Sequence, residues 1–183
     1  MIYTQQPYPL RFIQLERCKD ITPHLFTYIY KFRSPATKYY YVLRADYHAE
    51  NVFAVKFYAQ QHKHSDYKYS KLTNKGDVIR ILITCLSVIP PLLDEFPGAS
   101  FGFIGSRTID KVSRRVEGFN RTQRFRVYRK IVNETIGPDT FEHFEYPDIS
   151  GYLLINRDSE NIEEKERILI RMFSDTYENL LDI

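Results

Sequence analysis

The chain has 183 residues, 43% of them hydrophobic, which suits a single domain over 1–183 with one core. It holds no apolar run of about 18 residues, so no transmembrane helix is expected; Met1–Phe12 lacks the basic and apolar regions of a secretory signal, which favours the cytoplasm. The formal net charge of +3 hides a division: Ser106–Lys130 carries nine Arg and Lys against Asp110 and Glu117, a net of +7, while Arg157–Asp182 carries eight acids against four bases, a net of −4.

The first third predicts β structure. Leu10–Glu16 is a short strand. In His24–Arg33, Phe26, Tyr28, Tyr30 and Phe32 alternate with Thr27, Ile29, Lys31 and Arg33. A turn at Ser34–Thr37 follows. Lys38–Ala45 and Asn51–Tyr58 are the next two strands, joined by a polar loop at Asp46–Glu50, so an antiparallel meander is expected. Gln60–Gly76 reads as a loop. Asp77 stands where it can cap a helix whose stripe runs Val78, Leu82, Cys85, Leu86, Ile89, Leu92, Leu93 and Phe96. Pro90-Pro91 should kink or restart that helix, and Pro97-Gly98 should end it. Cys18 and Cys85 have neither metal spacing nor a disulfide framework, and Cys85 reads as a small buried hydrophobe.

Ser100–Gly105 is a short strand, Ser106–Phe119 a long loop, and Asn120–Ile136 a helix stopped by Gly137-Pro138. Phe125, Tyr128, Ile131, Val132 and Thr135 fall on one side of it, and Arg126, Arg129, Lys130 and Asn133 on the other. Phe141–Tyr146 and Gly151–Asn156 are strands around a Pro147-Asp148 turn. A last helix from near Asn161 buries Leu169, Met172, Phe173, Thr176 and Leu180. The expected fold is α+β: an antiparallel sheet, made of the N-terminal meander plus the C-terminal strands, with about three helices packed mainly on one face.

The stretches KYSKLTNKGDVIRILITCL (Lys68–Leu86), ASFGFIGS (Ala99–Ser106), RTQRFRVYRKIV (Arg121–Val132) and YLLINR (Tyr152–Arg157), taken in order, resemble a family of small bacterial proteins with a domain of unknown function. The resemblance spans most of the chain after about residue 25 and implies a shared fold. It transfers no activity, cofactor or catalytic residue.

The basic segment is the most informative feature for function. Arg107, Arg114, Arg115, Arg121, Arg124, Arg126, Arg129 and Lys130 lie within one strand–loop–helix unit. Guanidinium groups grip phosphate bidentately, and a helix N-terminus favours an anion. The spacing is not a P-loop. The bland alternative is a solvated face, with Arg124 anchoring its helix to an acid such as those of the last helix. The aromatic residues Phe26, Tyr28, Tyr30, Phe32, Tyr39 and Tyr41 form either a base-stacking platform or the floor under the central helix. His62 and His64 lack further ligands for a metal, so no metal site is expected.

No nucleotide fingerprint, nucleophile elbow or HExxH occurs, so no cofactor is assigned. The expectation is a small intracellular binding protein whose partner is a nucleic acid or another phosphorylated ligand. One alternative is a metal-independent nuclease or transferase, toxin-like, using His143 with Glu142 or Glu145. The other is a protein–protein module or homodimer built on the charge division.

Overall fold

The computed structural model describes residues 5–70, 76–105, 109–110 and 115–177. Its centre is a seven-stranded sheet. Four strands make the meander: β1 (Arg11–Arg17), β2 (His24–Arg33), β3 (Tyr40–His48) and β4 (Val52–Ala59). Their register places Phe26, Tyr28, Tyr30 and Phe32 opposite Tyr47, Ala45, Leu43 and Tyr41, so one face is almost wholly aromatic and aliphatic. Glu50 and Asn51 both adopt left-handed φ, 68° and 51°, which matches the strand twist in the tight β3–β4 turn. Edge strand β1 is exposed along its length, Phe12, Ile13 and Leu15 included.

The chain then crosses over the sheet through α1 (Val78–Leu86) and α2 (Ile89–Glu95). Pro90 and Pro91 fall in the first turn of α2, where a missing N–H costs nothing, so the expected restart is seen. Asp77 precedes α1, yet its carboxylate does not cap it. It accepts from the Tyr8 and Ser34 hydroxyls instead and ties the N-terminal segment to the meander.

The crossover delivers β5 (Ser100–Ile104) parallel to β4, the one parallel pair in a sheet otherwise antiparallel as expected. Within the segment read as a long loop, β6 (Ile109–Asp110) pairs antiparallel with β7 (Arg115–Val116). After α3 (Gln123–Thr135), strands β8 (Phe141–Tyr146) and β9 (Gly151–Asn156) return, and β9 inserts beside β5. The order is β1-β2-β3-β4-β5-β9-β8. The last helix, α4 (Ile162–Thr176), is capped by the Asn161 side chain, which accepts from the Glu164 N–H at 3.0 Å.

The fold is α+β, with one refinement. Helices α1, α2 and α3 cover one face, over Leu43, Phe53, Phe101, Tyr152 and Leu154. Helix α4 covers the other, setting Leu169 and Phe173 on Val52, Leu153 and Ile155. Strand β9 is buried at every position because both its faces are covered. Of the side chains expected under α4, Leu169 and Phe173 are buried, Met172 and Thr176 half-buried, and Leu180 lies outside the described residues.

Candidate functional site

The structure brings together only part of the basic segment. Arg107 and Arg114 lie outside the described residues, and Arg115 is described only as a backbone position of β7. Arg121, Arg126 and Lys130 are exposed. Arg129 is exposed too, but its Nε lies 2.8 Å from Glu145 Oε2. Arg124 does not join them. It stands one turn before buried Tyr128, so its side chain is drawn inward, where the guanidinium lies 5.7 Å from the Phe57 ring centroid and donates to the Tyr69 carbonyl. Burial lowers its pKa, and none of the acids of α4 anchors it, because α3 and α4 lie on opposite faces.

The N-terminus of α3 supplies its own anion. Glu117 Oε1 accepts from the Gln123 N–H at 2.6 Å, and Thr122 Oγ1 accepts from the Phe125 N–H at 3.2 Å. These bonds occupy first-turn donors that were expected to hold phosphate. Thr122 Oγ1 gives its own proton to the Gly105 carbonyl at 2.5 Å, which draws the end of β5 against the helix.

The strongest concentration of chemistry lies elsewhere, on the sheet face under α4. Asp46, expected in a loop, sits in β3 with 1% of its surface exposed. Its Oδ2 is 2.8 Å from Lys56 Nζ in β4. Its Oδ1 accepts from Thr27 Oγ1 at 2.6 Å and lies 3.6 Å from Arg44 Nε. Since Thr27 spends its proton on Asp46, its oxygen accepts from His24 Nε2 at 2.9 Å and from Arg44 Nη2 at 3.3 Å. Burial alone would raise the Asp46 pKa, but Lys56, then Thr27 and Arg44, hold it below the usual carboxylate range.

His48 continues the cluster. It is fully buried and stacked on His24 at 5.0 Å. Its Nδ1 donates to the Asp46 carbonyl at 2.8 Å, which leaves Nε2 to accept from the Tyr177 hydroxyl at 2.6 Å. Burial, then the neighbouring His24, pushes its pKa down to about 4, so it is neutral near pH 7. Tyr177, the residue after α4, is thereby pinned to β3. Lys56 Nζ lies 5.6 Å from the Tyr177 ring centroid and 5.4 Å from that of Tyr69.

Beside this cluster, between the sheet and α4, lies a cavity of about 110 Å³. Ala54, Gly102, Leu153 and Tyr146 line its sheet side, and Ile170 and Phe173 line its helix side. Lys56 and Tyr177 complete the wall at the β4 end. A Cβ on Gly102 would stand 3.2 Å from Leu153 Cδ2 and 3.5 Å from the Phe173 ring, so the bare glycine lets α4 sit this close.

The histidine chemistry expected on β8 is dispersed. His143 Nδ1 meets the Tyr152 hydroxyl at 2.8 Å, and that hydroxyl donates to Asn133 Oδ1 at 3.1 Å. Glu145 is held by Arg129, and Glu142 lies 2.5 Å from Arg157 Nη2. The aromatic platform packs as floor: Phe32 and Tyr41 are buried under the helices, and the Tyr28 hydroxyl donates to Glu95 of α2. Among the described residues no group of three or more His, Cys, Asp or Glu is placed to hold a metal, and no helix is long and apolar enough to cross a membrane.

Asp46, Lys56, His48 and Tyr177 are the residues that sequence reasoning missed. Their signal was the period-two series Arg44, Asp46, His48, continuing a strand that is apolar on alternate positions. In comparisons with known proteins, no protein-family model matches this chain, and neither a curated protein nor a solved structure matches it.

Proposed function

We propose that the protein is a binding protein for a small, largely apolar molecule held between the sheet and α4. The observation that carries this reading is the apolar cavity adjoining a buried cluster of charged and hydrogen-bonded side chains. Small-molecule sites combine apolar walls with a few fixed polar groups in this way. An engineered apolar cavity of about 150 Å³ holds benzene, so a space of about 110 Å³ suits an occupant no bulkier than a single ring or a short chain. Toluene titrated against the labelled protein should shift the methyl resonances of Ala54, Leu153 and Ile170 saturably. Ala54→Phe, which fills the space, should abolish the shifts. Absence of any shift in the unaltered protein would refute the reading.

A second reading keeps the phosphate ligand. Its support is that Arg121, Arg126 and Lys130 are exposed at and along α3. Contacts to a single-stranded backbone give affinity that falls with salt at a slope near −0.7 per contact. Arg126→Ala with Lys130→Ala should lower both affinity and slope for every sequence tested. No binding of RNA or DNA at low salt would end this second reading.

A further inference from the structure

We propose that the occupant of the cavity under α4 is a small organic acid, its apolar body between helix and sheet and its carboxylate on the ammonium groups of Lys56 and Lys68. This rests on the cavity reading above and names the chemistry of its ligand.

The first support is a charge imbalance. Arg44, Lys56 and Lys68 gather around Tyr58, Tyr69 and the single buried carboxylate of Asp46. Glu16, at the periphery, pairs with Arg44 at 3.5 Å and accepts from Gln14 Nε2 at 2.8 Å. Asp46 uses one N–H of the Lys56 ammonium, which has three to give. The Lys68 ammonium lies 4.8 Å from the Tyr58 centroid and 5.2 Å from that of Tyr69, and among the described residues no carboxylate lies within ion-pair distance of it. Lys56, in the cavity wall, and Lys68, outside it, thus both lie against the Tyr69 ring. Burial first, and then Arg44 and Lys56, lowers the Lys68 pKa, against the opposing pull of Asp46.

The second support is the arrangement of the walls. Lys56 and Tyr177 stand where the cavity borders β4, and Tyr146 stands on β8 at the far side. Three strand spacings separate them, roughly 14 Å. An elongated molecule lies across the strands with its tail toward Tyr146 and its head at Lys56. A neutral head leaves the crowded cations as they are, and a cationic head worsens the crowding. A carboxylate relieves it through charge-assisted hydrogen bonds.

Calorimetric titration of the full chain with sodium octanoate, 1-octanol and octylamine tests this, alongside the toluene titration and the variant Lys68→Gln. Lys68 is chosen because it holds no buried acid, so the variant should fold. Octanoate should bind roughly tenfold tighter than octanol, a difference of about 1.4 kcal/mol, and octylamine weakest. In Lys68→Gln the preference for octanoate should shrink severalfold while octanol binding stays the same. Octanol binding as well as octanoate, or octylamine binding best, would overturn the acid while leaving the cavity reading intact. An unchanged preference in Lys68→Gln would overturn the assignment of the head. If none of the three binds and toluene fails too, the cavity reading itself falls.

Discussion

The ammonium of Lys56 lies 2.8 Å from a carboxylate oxygen of Asp46, one strand away, and the two are unequally enclosed: 22% of the Lys56 side chain reaches solvent, against 1% for Asp46. Removing the lysine therefore strands the more deeply buried partner. Lys56→Met should cost about 3–5 kcal/mol of unfolding free energy, the usual consequence of an uncompensated buried charge. The double variant Lys56→Met/Asp46→Asn should recover part of that loss. Urea unfolding measures both; a loss below about 1 kcal/mol in the single variant would mean that Thr27 and Arg44 suffice to hold the carboxylate.

Acid should weaken the protein before its carboxylates titrate. His48 is neutral when folded, because burial pushes its pKa from the ordinary imidazole value of 6.5 down to about 4. The unfolded chain thus binds a proton that the folded chain refuses. The stability this represents is whole above the unfolded value, is lost as pH falls toward about 4, and amounts to roughly 3 kcal/mol. His143, whose pKa burial also lowers, adds in the same sense. Unfolding free energies measured across this range should slope upward with pH, and His48→Gln should remove about one proton from the slope. An identical slope in the variant would show that His48 does not titrate in this way.

Arg124 and its neighbours on α3 should separate stability from surface charge. Arg124→Met leaves the Tyr69 carbonyl without its guanidinium donor and should cost roughly 1–3 kcal/mol. The pair Arg126→Ala/Lys130→Ala, at exposed positions, should stay within about 0.5 kcal/mol per site. Thermal melts of the two proteins make the comparison. Equal losses would contradict the inward placement of Arg124.

Two glycines offer a matched test of close approach. A Cβ on Gly105 would stand 2.6 Å from the Phe125 backbone nitrogen, whereas one on Gly137 meets nothing within 4 Å. Gly105→Ala should cost about 1–3 kcal/mol by forcing β5 and α3 apart. Gly137→Ala should be close to neutral. Differential scanning calorimetry distinguishes them, and a harmless Gly105→Ala would mean that the end of β5 shifts freely.

Much of the fold was legible because its signals are local. His24–Arg33, Phe141–Tyr146 and Gly151–Asn156 are strands with the expected bounds, each marked by bulky apolar residues and punctuated by turns. The face chosen by α4 was not read, since its apolar stripe looks like any other. The cue lay in β9, where Leu153 and Ile155 are as apolar as Tyr152 and Leu154 between them. The site under α4 was hidden by a reasonable assumption. The polar run Asp46–Glu50 reads as a loop between strands, and only tertiary burial turns Asp46 and His48 into a cluster. In the basic segment, adjacency along the chain does not reveal which side chains share a surface: Arg124 turns inward to the Tyr69 carbonyl, and Glu117 occupies the Gln123 N–H. The β6–β7 pairing, with two residues in each strand, is too short to show a period.

The seam between β4 and β5 has a kinetic consequence. Strands β1 to β4 pair with their immediate neighbours in sequence, and so do β8 and β9, so each group closes only short loops. Val52 meets Ser100, by contrast, only after the whole crossover through α1 and α2 has been gathered in. Non-local closures of this kind lose chain entropy before contacts repay it. The meander and the β8–β9 pair are therefore expected to form first, and the two long closures that bring in β5, onto β4 and onto β9, to set the folding rate. Substitutions at Val55 and Phe103, paired across the seam, should slow refolding, whereas those in the β2–β3 ladder should chiefly change the rate of unfolding.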